Sequence, residues 1–464
     1  MADPGARVEE PGTGRFRRGA ACAHNGCPLL LPPRPLLLSG LGLIGAALAL
    51  ALTQARLGSP LFFSIAPLFG MCQLAAAVWF MRGHADRRWV TFAVACAIAC
   101  RVPLMVGPVN YDSDMVRYIW DGRAQRFGYN PYEVVPSDPS LAHTHTADTV
   151  RMPSRHDRTP YPPAAQLFFR LMVTVWESAR VMKAVLTVLD MVTIFFVWRW
   201  LRATGRPEWL VIGYAWNPLV ILEVAHSGHI DALGAFWIAG CAYAMARQRR
   251  GLAVVAYTLA VTTKLLPLVL APLFIGRVKL RDAALGLAAL ALLYLPFMTE
   301  WTIPLGAVTN VVAHIRFNSP IFRPLAWIIT PSGAAAFALF AGLATAAWAR
   351  WKLPMDSPAA WAWPMAVGVA CAPVIYPWYL LYFTPFLLSA ATLPLTVWTY
   401  SIVPVYLVWE WAQQGARWRV PDWLMLVEYG VVVAALAMSF GGLLPVSRRG
   451  GKERRGEEVV ADRT

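Results

Sequence analysis

Residues 89–132 read WVTFAVACAIACRVPLMVGPVNYDSDMVRYIWDGRAQRFGYNPY and change character at Asn110. The first part is a predominantly apolar run, long enough to cross a lipid bilayer. Two carboxylates, Asp112 and Asp114, follow it, and an arginine-rich helical pattern then leads to a Gly-Tyr-Asn-Pro-Tyr turn ending at Tyr132. Carboxylates are costly to hold beside lipid, so carboxylates at the end of a span usually mark function. The stretch predicts a membrane helix followed by a functional polar loop.

The composition of the whole chain extends this pattern. Its 464 residues are 58% hydrophobic and 14% charged, with a mean hydropathy of +0.49. A soluble globular domain is nearer roughly 45–50% apolar and about 25% charged. Apolar segments of about 16–25 residues recur, each suited to a membrane helix. They run continuously instead of alternating, which excludes an outer-membrane β-barrel. We therefore predict an all-α polytopic membrane protein.

The distribution of charge argues against a nucleic-acid partner, although the net charge is +15. The basic residues form short clusters between apolar segments, as in the cytoplasmic loops of membrane proteins. Three of these clusters are Arg199/Arg202/Arg206, Arg247/Arg249/Arg250 and Arg448/Arg449/Lys452/Arg454/Arg455. The cysteines predict no disulfide framework, because none lies in the long polar loop.

Hydropathy and the basic clusters together predict the topology. Spans are expected near 35–55, 61–81, 89–108, 180–201, 209–225, 231–246, 283–298, 325–348, 359–376, 379–394, 395–411 and 422–445. They predict a bundle of about 12–13 helices in a membrane domain 35–445. A disordered basic tail 1–34 and a charged tail 446–464 would both be cytoplasmic. Arg417 and Arg419 are the exception, because the scheme places them outside.

The polar region 109–179 would lie outside and contain helices of its own. Ser113–Arg126 has helical charge patterning, and Pro163–Ser178 is amphipathic. If Pro163–Ser178 crossed the membrane, the next basic cluster would fall outside, against the charge rule. We expect this helix to lie on the outer surface or to dip into it.

Residues 251–276 form an unusual segment, because basic clusters flank both of its ends. The segment is too short to cross a bilayer core of about 30 Å twice at about 1.5 Å per residue. We predict two short helices with a break near Thr263–Pro267. Irregular backbone at that depth must be buried in protein or line a wet cavity, so Lys264 is expected to face inward.

Polar side chains at the predicted outer ends of the helices form a candidate site. They are Asp112, Asp114, Arg117, Glu223, His226, His229, Asp231, His314, Arg316, Trp378 and Tyr379, together with Lys264. A partly buried carboxylate gains basicity, and cations nearby can hold a phosphate. For the group from Glu223 to Asp231, three roles stay open: hydrogen bonding to donor or acceptor, a structural metal, and capping or packing.

Several motifs recur in an order that is similar to a known superfamily. They are Asp112-Ser-Asp114 with GYNPY to Tyr132, Thr159-Pro-Tyr161-Pro-Pro, Trp216-Asn217-Pro218-Leu219 leading to Gly228-His-Ile-Asp231, Thr263-Lys264 with Pro267, His314-Ile-Arg-Phe-Asn-Ser-Pro320 and Tyr376-Pro-Trp-Tyr379. This order resembles the C-type (GT-C) glycosyltransferases. Within them it resembles the polyprenol-phosphate-mannose-dependent mannosyltransferases, such as the catalytic subunit of glycosylphosphatidylinositol mannosyltransferase I and its bacterial relatives.

The resemblance implies a GT-C-like helical bundle in a bacterial inner membrane. The distribution of charge, independently of the resemblance, predicts that the active site is extracytoplasmic. It implies transfer of a hexose, expected to be mannose, from a polyprenyl-phosphate donor to a glycan or lipid-linked acceptor. Asp112 or Asp114 would be the general base of an inverting displacement, and Lys264, Arg316 or Arg117 would hold the phosphate. Tyr132 and Tyr161 join the expected substrate-binding residues.

The expected mechanism needs no cofactor, because a neutralised lipid phosphate is a good leaving group. A divalent metal bridging Asp112 and Asp114 is a minority alternative. A different class of protein, a polytopic transporter or lipid flippase, is the competing hypothesis, since transporters also place charged sites at broken helices. No internal repeat accompanies the broken segment here, which favours the enzyme.

Overall fold

The computed structural model describes residues 31–109, 114–152, 154–299, 302–304 and 306–440. Helices dominate this part of the chain, and it contains no named β-strand. Eight of its helices are long and apolar enough, by length and composition, to cross a membrane. The prediction of an all-α polytopic membrane protein is therefore confirmed. The predicted tails fall outside the described residues, apart from the last four positions of the first tail.

The first three helices form the membrane spans that precede the acidic motif. Helix α1 (Arg34–Thr53) packs against both α2 (Pro60–Met81) and α3 (Arg87–Val106). The Ser59 hydroxyl caps α2 by accepting a hydrogen bond from the amide of its third residue at 3.2 Å. The Asp86 carboxylate caps α3 in the same way, through an amide at 3.0 Å. Both caps satisfy amides that a helix start leaves unpaired.

The polar region after α3 folds into two helices that pack on each other. These are α4 (Asp114–Arg126) and α5 (Pro163–Val175), which agree with the helices expected from the charge and amphipathic patterns. A Cβ at Gly122 would lie 2.5 Å from the carbonyl oxygen of Phe169, so only glycine allows this close approach. The ring of Tyr118 stacks on Phe169 at 4.6 Å, which closes the interface on the inner side.

A buried ion pair joins α3 to α6 (Ala179–Ala203). The Nε atom of Arg101 donates to Asp190 at 2.5 Å, and neither side chain is exposed. The Tyr214 hydroxyl donates to the other Asp190 oxygen at 2.5 Å, and Arg101 also donates to the carbonyl of Ala215 at 2.8 Å. A buried charge is tolerated only with such partners. The network therefore ties two spans to the segment around Tyr214.

That segment, predicted as one span at 209–225, is a chain of short helical pieces. It contains α7 (Ile212–Ala215), α8 (Pro218–Val220) and a π-helical turn, Ile221–His226. The break falls at Asn217, whose side chain accepts hydrogen bonds from the amides of two α8 residues. Pro218 then begins the next helix, because proline has no amide hydrogen to continue the previous one.

The broken segment predicted within 251–276 is confirmed. Helix α9 (Asp231–Ala246) leads to α10 (Arg250–Thr263), which ends at an extended Lys264 with φ −157° and ψ 144°. A 3₁₀ helix, Leu266–Phe274, follows. Pro267 and Pro272 lie in this second piece, and proline opposes a regular α-helix. Lys264 therefore sits at the junction of two short helices, as the sequence indicates.

The C-terminal third alternates helices with proline-rich segments. Its helices are α11 (Leu280–Tyr294), α12 (Val308–His314), α13 (Phe322–Lys352), α14 (Pro358–Ala370), α15 (Leu393–Ser401), α16 (Leu407–Gln413) and α17 (Asp422–Phe440). Helix α13 is kinked at Thr330, which has a φ of +71°, immediately before Pro331. This kink bends a helix that the sequence predicts as a single span at 325–348.

Two further predicted spans, 359–376 and 379–394, are interrupted in the structure. Helix α14 ends at Ala370, and short 3₁₀ turns occupy most of Pro377–Thr392. Prolines at 373, 377 and 385 recur through this stretch and prevent one continuous helix. The expected bundle of 12–13 helices is therefore made, within the described residues, of eight long apolar helices and several shorter or interrupted segments.

Candidate active site

Asp114 lies at the first residue of α4, where two cavities meet. One, here called the polar cavity, has a volume of about 290 Å³ and includes Arg117, Asp157, Arg158, His229 and Trp418 in its wall. The other, here called the apolar cavity, has a volume of about 320 Å³ and is lined mainly by aliphatic side chains of the broken segment, α12, α13 and α14. The residues common to both walls are Asp114, Pro160, Tyr161, Val311, Val374 and Tyr379.

The apolar cavity has a charged end. Lys264 donates to Asp231 at 2.7 Å, and its ammonium nitrogen lies 3.9 Å from the centre of the Tyr379 ring. Asp231 is fully buried, whereas the side chain of Lys264 keeps 21% of its surface exposed. The break in the helix explains this placement, because an extended Lys264 directs its side chain away from α10 toward the start of α9. Lys264 therefore lines the cavity while it pairs with Asp231.

A stack of rings forms part of the wall of the polar cavity. His229 lies 4.0 Å from Trp378, and Trp378 lies 4.6 Å from Tyr376, with the three rings nearly parallel. Behind the stack, His229 Nδ1 is 2.7 Å from the buried Glu223 carboxylate. Although burial alone would lower the pKa of His229, the charge of Glu223 raises it above its usual value. The pair therefore favours a charged imidazole at the cavity.

Asp121, seven residues after Asp114 in α4, is the centre of a buried hydrogen-bond network. Its carboxylate accepts hydrogen bonds from Arg117 Nε at 2.7 Å, Thr159 Oγ1 at 2.6 Å and Gln166 Nε2 at 2.8 Å. Asp121 is completely buried, so these partners are what make its burial tolerable. The network fixes Arg117 of α4 relative to the Thr159–Tyr161 segment, which separates the two cavities.

A family model for the alpha-(1->6)-mannopyranosyltransferase N-terminal domain matches residues 41–280, slightly more than half of the chain. The chain belongs to this mannosyltransferase family. It is therefore a glycosyltransferase of the GT-C type, as the order of its motifs indicates, and not the transporter of the competing hypothesis. No curated protein and no solved structure matches the chain.

The structure of the mannosyltransferase brings most of the predicted site residues to the two cavities. Those in the cavity walls are Asp114, Arg117, Tyr161, His229, Asp231, Lys264, Trp378 and Tyr379. Tyr132 and Glu223 lie one layer behind: the Tyr132 hydroxyl donates to the Tyr161 carbonyl at 2.8 Å, and Glu223 pairs with His229. Asp112 lies outside the described residues.

Three predicted residues of the mannosyltransferase lie elsewhere. His226 lines a separate small cavity beside Lys183. His314 is exposed at the C-terminal end of α12, outside both cavity walls. Arg316 lines a groove beside α17, and its guanidinium donates to three backbone carbonyls within residues 312–315. Cations commonly satisfy the free carbonyls at a helix end, and Arg316 makes this kind of contact here.

The residues of the polar cavity wall that the sequence pattern missed include two charged side chains and two tryptophans. Asp157 and Arg158 precede the Thr159 motif, and Trp409 and Trp418 come from the C-terminal part of the chain. Asp157 accepts a hydrogen bond from Asn310 at 2.8 Å. One signal was present: Trp418 lies between Arg417 and Arg419, the two arginines that break the charge rule. Trp418 lines the same cavity as Asp114. The loop that carries Arg417 and Arg419 therefore lies on the same side of the protein as Asp114.

The metal alternatives concern the group from Glu223 to Asp231 and the pair Asp112 and Asp114. Within the described ranges, no group of three or more His, Cys, Asp or Glu side chains is arranged to hold a metal ion. Glu223 and Asp231 instead pair with His229 and Lys264. The possible pair of Asp112 with Asp114 involves an undescribed residue, so a metal there stays an untested prediction.

Proposed function

We propose that this mannosyltransferase transfers mannose from a polyprenyl-phosphate donor to a glycan or lipid-linked acceptor, at the extracytoplasmic face of a membrane. One observation carries the proposal: the Asp114 carboxylate lies where the apolar cavity and the polar cavity share a wall. An apolar wall suits the lipid part of the donor, and a wall with charged and aromatic groups suits a sugar acceptor. The reaction would take place at their junction.

Lys264 is the best candidate for holding the donor phosphate. It lines the apolar cavity together with Asp114, and a lysine is a common point-charge partner of phosphate. Arg117 lines the polar cavity, but its guanidinium already donates hydrogen bonds to Asp121 and to two backbone carbonyls. Neutralising the phosphate makes it a better leaving group, so a cation at this position favours cleavage of the sugar–phosphate bond.

The reaction that fits this arrangement is a single displacement. The acceptor hydroxyl attacks C1 of the mannose, the bond between C1 and the phosphate oxygen breaks, and the hydroxyl proton passes to a carboxylate. The family description specifies an α-(1→6) linkage. A displacement that inverts C1 would therefore use a β-linked donor and a primary 6-hydroxyl on the acceptor.

Asp114 is available as the base in this scheme. Within the described part of the chain it makes no ion pair and no side-chain hydrogen bond. The other acidic side chains of the site, Asp121, Asp157, Glu223 and Asp231, all have partners. Burial is the main cause that raises the pKa of Tyr161 well above its usual value, and the negative charge of Asp114 raises it further. The Tyr161 phenol therefore stays protonated. Asp112 remains the alternative base.

The proposed extracytoplasmic location rests on the distribution of charge. The basic clusters favour cytoplasmic loops on the side opposite Asp114. With this orientation both termini are cytoplasmic and the site opens to the outer face, in agreement with the placement expected for a bacterial inner-membrane enzyme. Polyprenyl-phosphate sugars are then presented from the outer leaflet.

The test is sugar transfer in membranes that are supplied with radiolabelled polyprenyl-phosphate mannose. Wild type is compared with Asp112→Asn, Asp114→Asn and the matched control Asp148→Asn, an exposed carboxylate of the same loop region that lines neither cavity. We expect transfer in wild type and in the control, and a loss of about 10²- to 10⁴-fold in Asp114→Asn at normal protein abundance. Full activity in both other variants would refute the carboxylate mechanism.

A further inference from the structure

The C-terminal part of the chain supplies an aromatic wall to the polar cavity. The rings in this wall are Tyr376, Trp378, Tyr379, Trp409 and Trp418. All of them lie beyond residue 280, where the match to the family model ends. Arg117, Asp157 and Arg158 line the same cavity. The cavity therefore combines an aromatic wall with hydrogen-bonding groups.

These rings differ in whether a face is free to receive a ligand. Tyr379 already has the Lys264 ammonium 3.9 Å from its ring centre. Trp378 is enclosed on both faces, by His229 at 4.0 Å and by Tyr376 at 4.6 Å. Trp409 packs against the rings of Trp378 and Tyr406 and is only partly exposed. Trp418 is different, since it stacks on Phe317 at a centroid distance of 5.6 Å and an angle of 28°, and 47% of its surface is exposed.

The environment of Trp418 holds its ring in place. Phe317 is buried against it, and Trp409 lies in an edge-to-face arrangement with it at a centroid distance of 4.7 Å. Two backbone hydrogen bonds hold Phe317 in place. Its amide donates to the carbonyl of Pro373 at 3.2 Å, and its carbonyl accepts from the amide of Ile375 at 2.9 Å. Because the Trp418 ring is already held in place by its neighbours, its side chain loses little conformational entropy when a ligand binds to it.

We propose that Trp418 is the platform on which the acceptor sugar stacks, and that the C-terminal aromatic wall forms the acceptor subsite. This inference rests on the proposed function. The C–H groups on one face of a pyranose carry small positive partial charges, and the face of an aromatic ring is negative. The sugar hydroxyls on the other side meet Asp157 and Arg158, which can accept and donate hydrogen bonds. The ligand class is a mannoside or a mannose-terminated glycan.

The inference also explains the exception in the charge pattern. Arg417 and Arg419 flank Trp418 in a loop that shares a cavity with Asp114, so all of them lie on the same side of the protein. Arg419 is held by an ion pair with Asp422 at 2.9 Å. The loop is therefore placed by its role at the site, against the preference of its charges for the cytoplasm.

The experiment compares wild type with Trp418→Leu, Trp418→Phe and the matched control Trp423→Leu. Trp423 is a nearby tryptophan, 56% exposed, that lines neither cavity. Transfer rates are measured against a synthetic α-(1→6)-linked dimannoside acceptor and, separately, against the donor. We expect Trp418→Leu to raise the acceptor KM roughly 5- to 10-fold, with the donor KM unchanged. Trp418→Phe should recover much of the loss, and Trp423→Leu should behave as wild type.

A second readout keeps the inference separate from the proposed function. Saturation-transfer NMR of the dimannoside with the detergent-solubilised full chain reports contact of its ring C–H groups with the protein. Loss of this signal in Trp418→Leu alone supports the platform, even if the chosen donor gives no transfer in wild type. An unchanged signal and an unchanged acceptor KM in Trp418→Leu would overturn the acceptor subsite and leave the proposed reaction intact.

Discussion

The pair formed by Lys264 and Asp231 allows the structural and functional roles of one cation to be separated. Lys264 donates to the fully buried Asp231 at 2.7 Å. Changing Lys264→Met keeps the length of the side chain and removes its charge. Removing one partner of a buried ion pair typically costs about 3–5 kcal/mol, since the remaining charge is left unpaired. Lys264 is 21% exposed, so we expect a loss of unfolding free energy near the lower figure.

The same change should weaken donor binding if Lys264 holds the phosphate. A hydrogen bond to a charged group contributes about 1.5–3 kcal/mol, which corresponds to a rise of roughly 10- to 150-fold in the donor KM. The acceptor KM should change little, because Lys264 lines the apolar cavity and not the polar one. Initial rates of radiolabelled mannose transfer at varied donor concentration measure this effect.

The double variant Lys264→Met with Asp231→Asn decides between the two roles. It removes the orphaned carboxylate, so thermal unfolding in detergent should return most of the way to the wild-type temperature. The donor KM should stay raised, because no cation has been restored. If the donor KM instead returned to the wild-type value, Lys264 would serve only to neutralise Asp231, and the phosphate assignment would be wrong.

Two other predictions concern stability. Asp190→Ala leaves the fully buried Arg101 without its carboxylate partner. We expect the free energy of unfolding to fall by about 3–5 kcal/mol, which is measured as a lower unfolding temperature. A change below about 1 kcal/mol would show that the ion pair does not stabilise the fold. Glu223 raises the pKa of His229 in the folded state. The pair therefore contributes its full stabilisation below the unfolded-state pKa of about 6.5. This stabilisation is lost as the pH rises through the higher folded-state pKa. The difference in unfolding temperature between wild type and Glu223→Gln should therefore shrink from pH 6 to pH 9, and a constant difference would contradict this assignment.

Local features of the sequence predicted the class of fold and the broken helix. Long apolar runs require helices in a membrane, because every backbone amide must be satisfied within the segment. The break at Lys264 followed from basic clusters at both ends of a short segment and from Pro267. Hydropathy alone overestimated the regularity of 359–376 and 379–394, where recurrent prolines interrupt the helix.

The candidate site was predictable only in part, because its residues are distant in the chain. Motif order pointed to Asp114, His229, Asp231 and Lys264, all of which reach the cavities. It also pointed to Arg316, whose guanidinium instead satisfies carbonyls at the end of α12. No sequence pattern distinguishes an arginine that caps a helix from one that faces a phosphate.

Local sequence patterns were enough to predict an all-α membrane protein with an acidic motif after its third span, and the order of the motifs indicated a mannosyltransferase. These properties depend on residues close together in the chain, whose transfer free energies and helical preferences act locally. The three-dimensional packing was needed to show that Asp114 lines two cavities and that Trp418, about 300 residues further along, lines one of them. Packing between distant helices creates a cavity, and periodicity within one segment carries no information about it.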